Sequence, residues 1–212
     1  MKYVFLLLLL FSAAFAQDEG LYPDPPPADA AFVRIIQAIP NAESLDIDFG
    51  DQDFPALSYA ELSDYYIVLQ GEYPLKLSQE QMIEVSAGAY YSLVIQGDED
   101  GQKALLIEDP MNDNRAKALL TLYNLSDLES IDMKTADDKE IEIILGVAPG
   151  TVASRAVNGI KVSLGAFAAG EKLGSVDDMQ LERGAVYSMI LLGAQDSSTL
   201  VWKLTETVLE NE

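Results

Sequence analysis

The residues of this chain most suited to chemistry are carboxylates. The stretch SLDIDFGDQDF, residues 44–54, sets Asp46, Asp48, Asp51 and Asp53 around Gly50, and clustered oxygen ligands on a Gly-containing loop are what a calcium ion takes. Two features argue for a different reading. The ordered spacing of an EF-hand with its closing Glu is absent. In addition, Leu45, Ile47 and Phe49 alternate with Asp46 and Asp48, the pattern of a strand with acids facing solvent, and Gly50-Asp51 supplies a turn. The stretch is expected to be a β-hairpin, with a weak calcium site at the four aspartates as the alternative. GDEDG, residues 97–101, reads likewise as an acidic turn between strands.

Other catalytic chemistry is thinly represented. The chain has no histidine and no cysteine, which removes Ser-His-Asp and Cys-His triads and every zinc site built on those ligands. No serine is followed three residues later by lysine, and there is no P-loop or Gly-rich dinucleotide turn. A carboxylate pair is enough to hydrolyse a glycosidic bond, but with 35 acidic residues no one pair stands out. Tyr65-Tyr66 and Trp202, the only tryptophan, are candidates for a sugar-stacking platform, with core or sheet-edge packing as their simpler role. No catalytic residue and no cofactor is implied.

The N-terminus and the composition bound the class. MKYVFLLLLLFSAAFA joins a basic Lys2 to a short apolar run and an Ala-Phe-Ala ending, the form of a cleavable export signal over residues 1–16. No later segment has the length of apolar sequence that a membrane helix needs, so an exported, soluble protein without a stable membrane span is expected. Without cysteine the fold rests on its apolar core. The formal charge of −22 argues against nucleic acid and anionic membrane surfaces as partners, while 49% hydrophobic residues are too many for a disordered acidic chain. Residues 17–30 form a Pro-rich arm containing Pro23, Pro25, Pro26 and Pro27. Leu21 and Tyr22 are its isolated apolar residues and candidate contacts, either with the protein's own first domain or with a partner.

Internal repetition supplies the architecture. GAYYSLVIQG (88–97) aligns without gaps on GAVYSMILLG (184–193), AFVRIIQA corresponds to ALLTLYNL, and Glu43-Ser44 and Asp46 match Glu129-Ser130 and Asp132. Each copy breaks into short runs rich in β-branched and aromatic residues, separated by Gly, Pro and Asp turns. Tyr91, Leu93 and Ile95, and in the repeat Tyr187, Met189 and Leu191, mark a core face at period two. The expected fold is all-β: a tandem repeat of two small antiparallel β-sandwich domains, Ig-like or jelly-roll-like, over residues 31–112 and 113–207, with a short tail at 208–212.

Across nearly all of the mature chain, LYPDPPPADAAFVRI, YIVLQGEYPLKL, YYSLVIQG, LLIEDP, NLSDLESIDMKTADDKEIEII, NGIKVSLGAF and LERGAVY follow in an order and spacing that resembles the alginate biosynthesis protein AlgF family. The resemblance implies a periplasmic protein required for O-acetylation of the exopolysaccharide alginate. It further implies a non-catalytic adaptor between membrane-bound acetyl-donor machinery and periplasmic O-acetyltransferases. No family pattern places a role on Asp46, Asp48, Asp51 or Asp53.

Charge separates the adaptor from its alternative, a module that binds alginate directly. Alginate is a polyanion, which a surface this acidic repels. Arg34, Arg115, Lys117, Arg155, Lys161 and Arg183 are scattered, with no run that marks a polymer groove. A protein partner with a basic face is the better expectation.

Overall fold

The computed structural model describes residues 25–40, 42, 44–45, 47–50, 52–98, 101–193 and 199–205, the last segment with side chains only at Thr199 and Val201. Among the described residues there is no helix, hence none long and apolar enough to cross a membrane.

The strands are β1 (Ala30–Gln37), β2 (Asp48–Phe49), β3 (Gln52–Asp53), β4 (Tyr66–Leu69), β5 (Gly71–Lys76), β6 (Glu80–Val85), β7 (Tyr90–Gln96) and β8 (Lys103–Glu108), then β9 (Ala118–Ser126), β10 (Ile131–Thr135), β11 (Glu142–Val147), β12 (Thr151–Val157), β13 (Lys161–Ala168), β14 (Glu171–Gln180), β15 (Val186–Gly193) and β16 (Thr199–Thr205). Three four-stranded sheets have the orders β4-β1-β7-β8, β12-β9-β15-β16 and β11-β10-β13-β14, with β2-β3 and β5-β6 as separate hairpins. The purely antiparallel expectation needs correction. At the centre of the first sheet β1 and β7 run parallel, and at the centre of the second so do β9 and β15. Parallel neighbours need a crossover connection, and the stretches β2–β6 and β10–β14 are those crossovers.

Three cores explain which residues form which strands. Val33, Ile35, Val68, Leu93 and Ile95 of the first sheet meet Phe49, Leu75, Ile83 and Val85 of the hairpins. Leu120, Leu122, Tyr187, Met189 and Leu191 of the second sheet meet Ile131, Met133, Ile144, Leu164 and Ala166 of the third. The alternate residues of the first two sheets then pack on each other, Ile36, Ala38, Val94 and Ile107 against Tyr123, Leu125, Ile190 and Leu192. Burial on both faces is why FVRII, YSLVI, LLTLYNL and YSMILL are near-continuous apolar runs, whereas β10, covered on one face, alternates.

The opening aspartates sit beside this framework. Asp48 pairs with Asp53 and Phe49 with Gln52, with Gly50 in the left-handed conformation (φ 65°) at the turn. Ile47 and Phe49 enter the core while Asp48 faces solvent. Gly97 and Gly101 bound the connection between β7 and β8, where the Gly101 amide donates to Asp98 Oδ1 at 2.7 Å.

Candidate functional site

The concentration of charge inside the molecule lies at the seam between the first two sheets. Arg34 stands in the middle of β1, on the face opposite Val33 and Ile35, so its side chain enters the inter-sheet layer. Its Nε donates to Ser92 Oγ on the neighbouring parallel strand at 2.8 Å, and its Nη2 donates to the Tyr123 hydroxyl on β9 at 3.1 Å. Asp109, just past β8, closes the arrangement. Its Oδ2 accepts from the hydroxyls of Tyr65 (2.6 Å) and Ser92 (2.8 Å), its Oδ1 accepts from Tyr123 (2.8 Å), and Arg34 Nε lies 3.5 Å from Oδ2. The guanidinium also faces the rings of Tyr65 and Tyr123, 5.0 and 5.6 Å from their centroids.

The electrostatics follow from burial. Desolvation opposes the Arg34 charge, but Asp109 and the two phenols outweigh it and the guanidinium is held more firmly protonated than usual. Burial pushes the Tyr65 and Tyr123 phenols well above their ordinary range, and Asp109 pushes further while Arg34 opposes. Both phenols therefore remain donors at physiological pH. Ser92 and Asp109 form a hydroxyl–carboxylate pair, but Ser92 has 0% of its surface exposed. A nucleophile has to reach its substrate, and this one is enclosed. The network binds the two sheets to each other.

The sequence missed this network. Arg34 figures in the sequence only as one of several scattered cations; it is buried, because its charge has a carboxylate and three hydroxyl groups around it. Tyr65, considered for a sugar platform, instead spends its hydroxyl on Asp109 and its ring on Arg34 and Tyr90, the latter edge-on at 5.2 Å. Tyr66 packs against Phe54 and Tyr73 against Phe49. These three tyrosines, with Gln52 and Ile67 to Leu69, line an open groove of about 540 Å³ along β4. Three of its rings are thus already engaged by protein. Trp202 is placed by its backbone opposite Met189 on the edge strand β16, and its side chain is outside the described residues.

The structure brings only part of the calcium candidate together. Asp48 and Asp53 are cross-strand neighbours, whereas Asp46 and Asp51 lie outside the described residues, as do Leu21 and Tyr22. Among the described residues no three acidic side chains gather closely enough to hold a metal ion.

Comparison with known proteins supplies the remaining information. The family described as "Alginate O-acetyl transferase AlgF" matches residues 5–188. An alginate biosynthesis protein AlgF of Pseudomonas fluorescens is 32% identical over 191 residues, 90% of this chain and 85% of that one. Its counterpart in Pseudomonas aeruginosa is 32% identical over 199 residues, 92% and 89% of the two chains. The solved C-terminal domain of AlgF from P. aeruginosa is 30% identical and covers 42% of this chain and 98% of its own, with a TM-score of 0.38.

Proposed function

The chain belongs to the AlgF family, and from that premise we propose that it is a non-catalytic periplasmic adaptor for alginate O-acetylation, joining the membrane-bound acetyl-donor machinery to the periplasmic acetyltransferases. The observation that carries this reading is the enclosure of Ser92 and Asp109, the hydroxyl–carboxylate pair of the seam, in a network that ties two sheets together. Acyl transfer needs an activated nucleophile in contact with both donor and acceptor, and a sequence without histidine or cysteine has few other ways to make one. The formal charge of −22 supports a protein partner with a basic face over the polyanionic polymer itself.

We further propose that residues 1–16 are a cleaved export signal and that residues 31–112 and 113–207 are two copies of one β-sandwich unit. Register supports the duplication: Phe32 pairs with Tyr90 as Leu119 pairs with Val186, at positions the sequence alignment already equates.

Two measurements test the function. Residues 17–212, incubated with an activated acetyl ester and mannuronate oligomers, are expected to form no more acetylated product than a protein-free control. The same chain, tagged and passed over periplasm and solubilised membranes of an alginate-producing bacterium, is expected to retain acetyltransferase proteins whether or not polymer is present. Recovery of uronate polymer alone, displaced by added alginate, overturns the adaptor in favour of a polysaccharide-binding module.

A further inference from the structure

The edge of a sheet carries backbone groups that have no strand to bond, and the first sheet handles its two edges differently. On β8 the outward groups of Ala104 are taken by one side chain: Gln81 Oε1 accepts from the Ala104 amide at 3.1 Å and Gln81 Nε2 donates to the Ala104 carbonyl at 2.9 Å. On β4 the register fixes what points outward. Ile35 O and Gln37 O accept from the Ser63 and Ala60 amides, and Asp29 O accepts from the Gln70 amide, so the odd-numbered positions along β1 bond on the β4 side. Tyr66 and Val68, opposite Val33 and Ala31, therefore bond to β1, and the N–H and C=O groups of Ile67 and Leu69 point away from it. The Leu69 carbonyl accepts from the Tyr73 hydroxyl at 2.8 Å. Among the described residues no strand pairs with β4 on that side.

The surroundings of this edge suit one kind of extended peptide. Ala31, Val33, Val68 and Tyr91 point into the core, so Phe32, Ile67, Leu69 and Tyr90 share the outer face. Ile67 and Leu69 are 41% and 45% exposed and continue into the stacked rings of Phe32 and Tyr90, 4.3 Å between centroids. A strand added to β4 lays every second side chain along this apolar strip. The others enter the open groove that Gln52, Tyr66 and Tyr73 line along β4. The charged residues beside that groove are acidic: exposed Asp53 follows Gln52, exposed Asp64 precedes β4, and exposed Glu72 precedes Tyr73. Residues 31–112 hold fifteen acidic residues against three basic ones, whereas residues 113–207 hold fourteen against nine. Of the three, Arg34 is buried, Lys76 ends β5 and Lys103 begins the opposite edge strand β8. The open edge thus lies on the more acidic unit. A second copy's β4 would bring the same acids to it and be repelled, while a basic segment would be attracted.

We propose that the free edge of β4 takes an extended segment of a partner protein as a fifth strand of the first sheet. Apolar residues of that segment lie over Ile67, Leu69 and the Phe32–Tyr90 stack, and lysine or arginine residues alternate with them on the groove side. Backbone bonds to Ile67 and Leu69 hold the segment, and the alternation selects it. This site deepens the adaptor reading and rests on it for the partner being a protein of the acetylation system.

The probe is a capped peptide of alternating lysine and valine, about eight residues long, and the readout is amide hydrogen exchange in the chain of residues 17–212. At a peptide concentration about ten times its Kd, exchange at the Ile67 and Leu69 amides is expected to slow about tenfold. The same peptide N-methylated throughout, or its glutamate–valine counterpart, is expected to leave both amides unchanged. No slowing by the lysine–valine peptide, or equal slowing by the N-methylated one, overturns the proposal. Protection that rises with protein concentration in the absence of peptide also overturns it and assigns the edge to a second copy. Leu69→Pro removes an amide that β1 does not use, so it is expected to keep its urea midpoint and to lose the acetyltransferase proteins that the native chain retains from periplasm and membranes. Equal retention by a folded Leu69→Pro chain overturns the edge and leaves the adaptor standing. Retention by neither chain overturns the adaptor, and the peptide measurement then decides the edge alone.

Discussion

Asp109→Asn is the sharpest perturbation of the seam, because it keeps the side chain's shape and removes its charge. The Arg34 and Asp109 side chains are only 2% and 4% exposed, so bulk water does not take over the lost interaction. Arg34 would keep its hydrogen bonds to Ser92 and Tyr123, but its buried charge would lose the Asp109 carboxylate that faces it. Removing one member of a buried pair costs about 3–5 kcal/mol, a large share of the roughly 5–15 kcal/mol that holds a domain folded. Arg34→Met alone leaves a buried carboxylate with three hydroxyl donors and falls in the same range. In the double variant no buried charge remains, so its loss is expected to be smaller than the sum of the single losses by about 2–3 kcal/mol. Urea unfolding followed by circular dichroism on all four proteins gives the cycle, with a constant denaturant dependence confirming that the same structure unfolds. An Asp109→Asn loss below about 1 kcal/mol, or strict additivity, would refute the assignment of the pair as a coupled buried unit.

Two further outcomes follow from the same region. The Tyr65 and Tyr123 phenols have folded pKa values raised above the unfolded tyrosine value of about 10; their contribution to stability is therefore intact below pH ~10 and falls above it, by up to about 1.4 kcal/mol per pH unit for each group. Urea midpoints measured from pH 9 upward are expected to drop, and to drop less steeply in Tyr123→Phe. Ile190 is fully buried between the first two sheets, so Ile190→Ala is expected to lower the unfolding free energy by about 2–5 kcal/mol; a value near zero would mean that the sheets are not packed together in solution.

How much of this could be read from the sequence depends on how locally each feature is encoded. The hairpin at residues 44–54 was legible because alternation and a turn glycine are local signals, and Ile47 and Phe49 are indeed buried while Asp48 is exposed. The core face of Tyr91, Leu93 and Ile95 was legible for the same reason. The parallel pairing of β1 with β7 was not, since nothing local distinguishes a strand that meets an antiparallel neighbour from one that meets a partner more than fifty residues away. Arg34 did leave a trace: a lone cation inside the apolar run AFVRII has no solvent-facing position if both faces of the strand are covered. Its counter-ion lies 75 residues further on in the chain, so the sequence carries the question without the answer.

The proposed duplication also explains why the seam is unequal. On the alignment of the two copies, Ile36 corresponds to Tyr123 and Val94 to Ile190, residues by which the two sheets meet, and Ser92 corresponds to Ser188, each hydrogen-bonded within its own sheet. Equivalent faces packed together form a self-complementary contact, like the two-fold interface of a homodimer. In such a contact any charge is presented twice. Arg34 corresponds to Thr121, whose hydroxyl bonds the Ser188 hydroxyl at 3.1 Å as Arg34 bonds Ser92. An arginine in both copies would bring two cations into one buried layer and require a second carboxylate. Having threonine in the second copy leaves one cation, answered by Asp109 and completed by Tyr123 from the opposite sheet. The two copies thereby stop being interchangeable at the seam. A sheet pairing with a second molecule's equivalent sheet would find the wrong partner for its charge, which favours packing within one chain over exchange between chains.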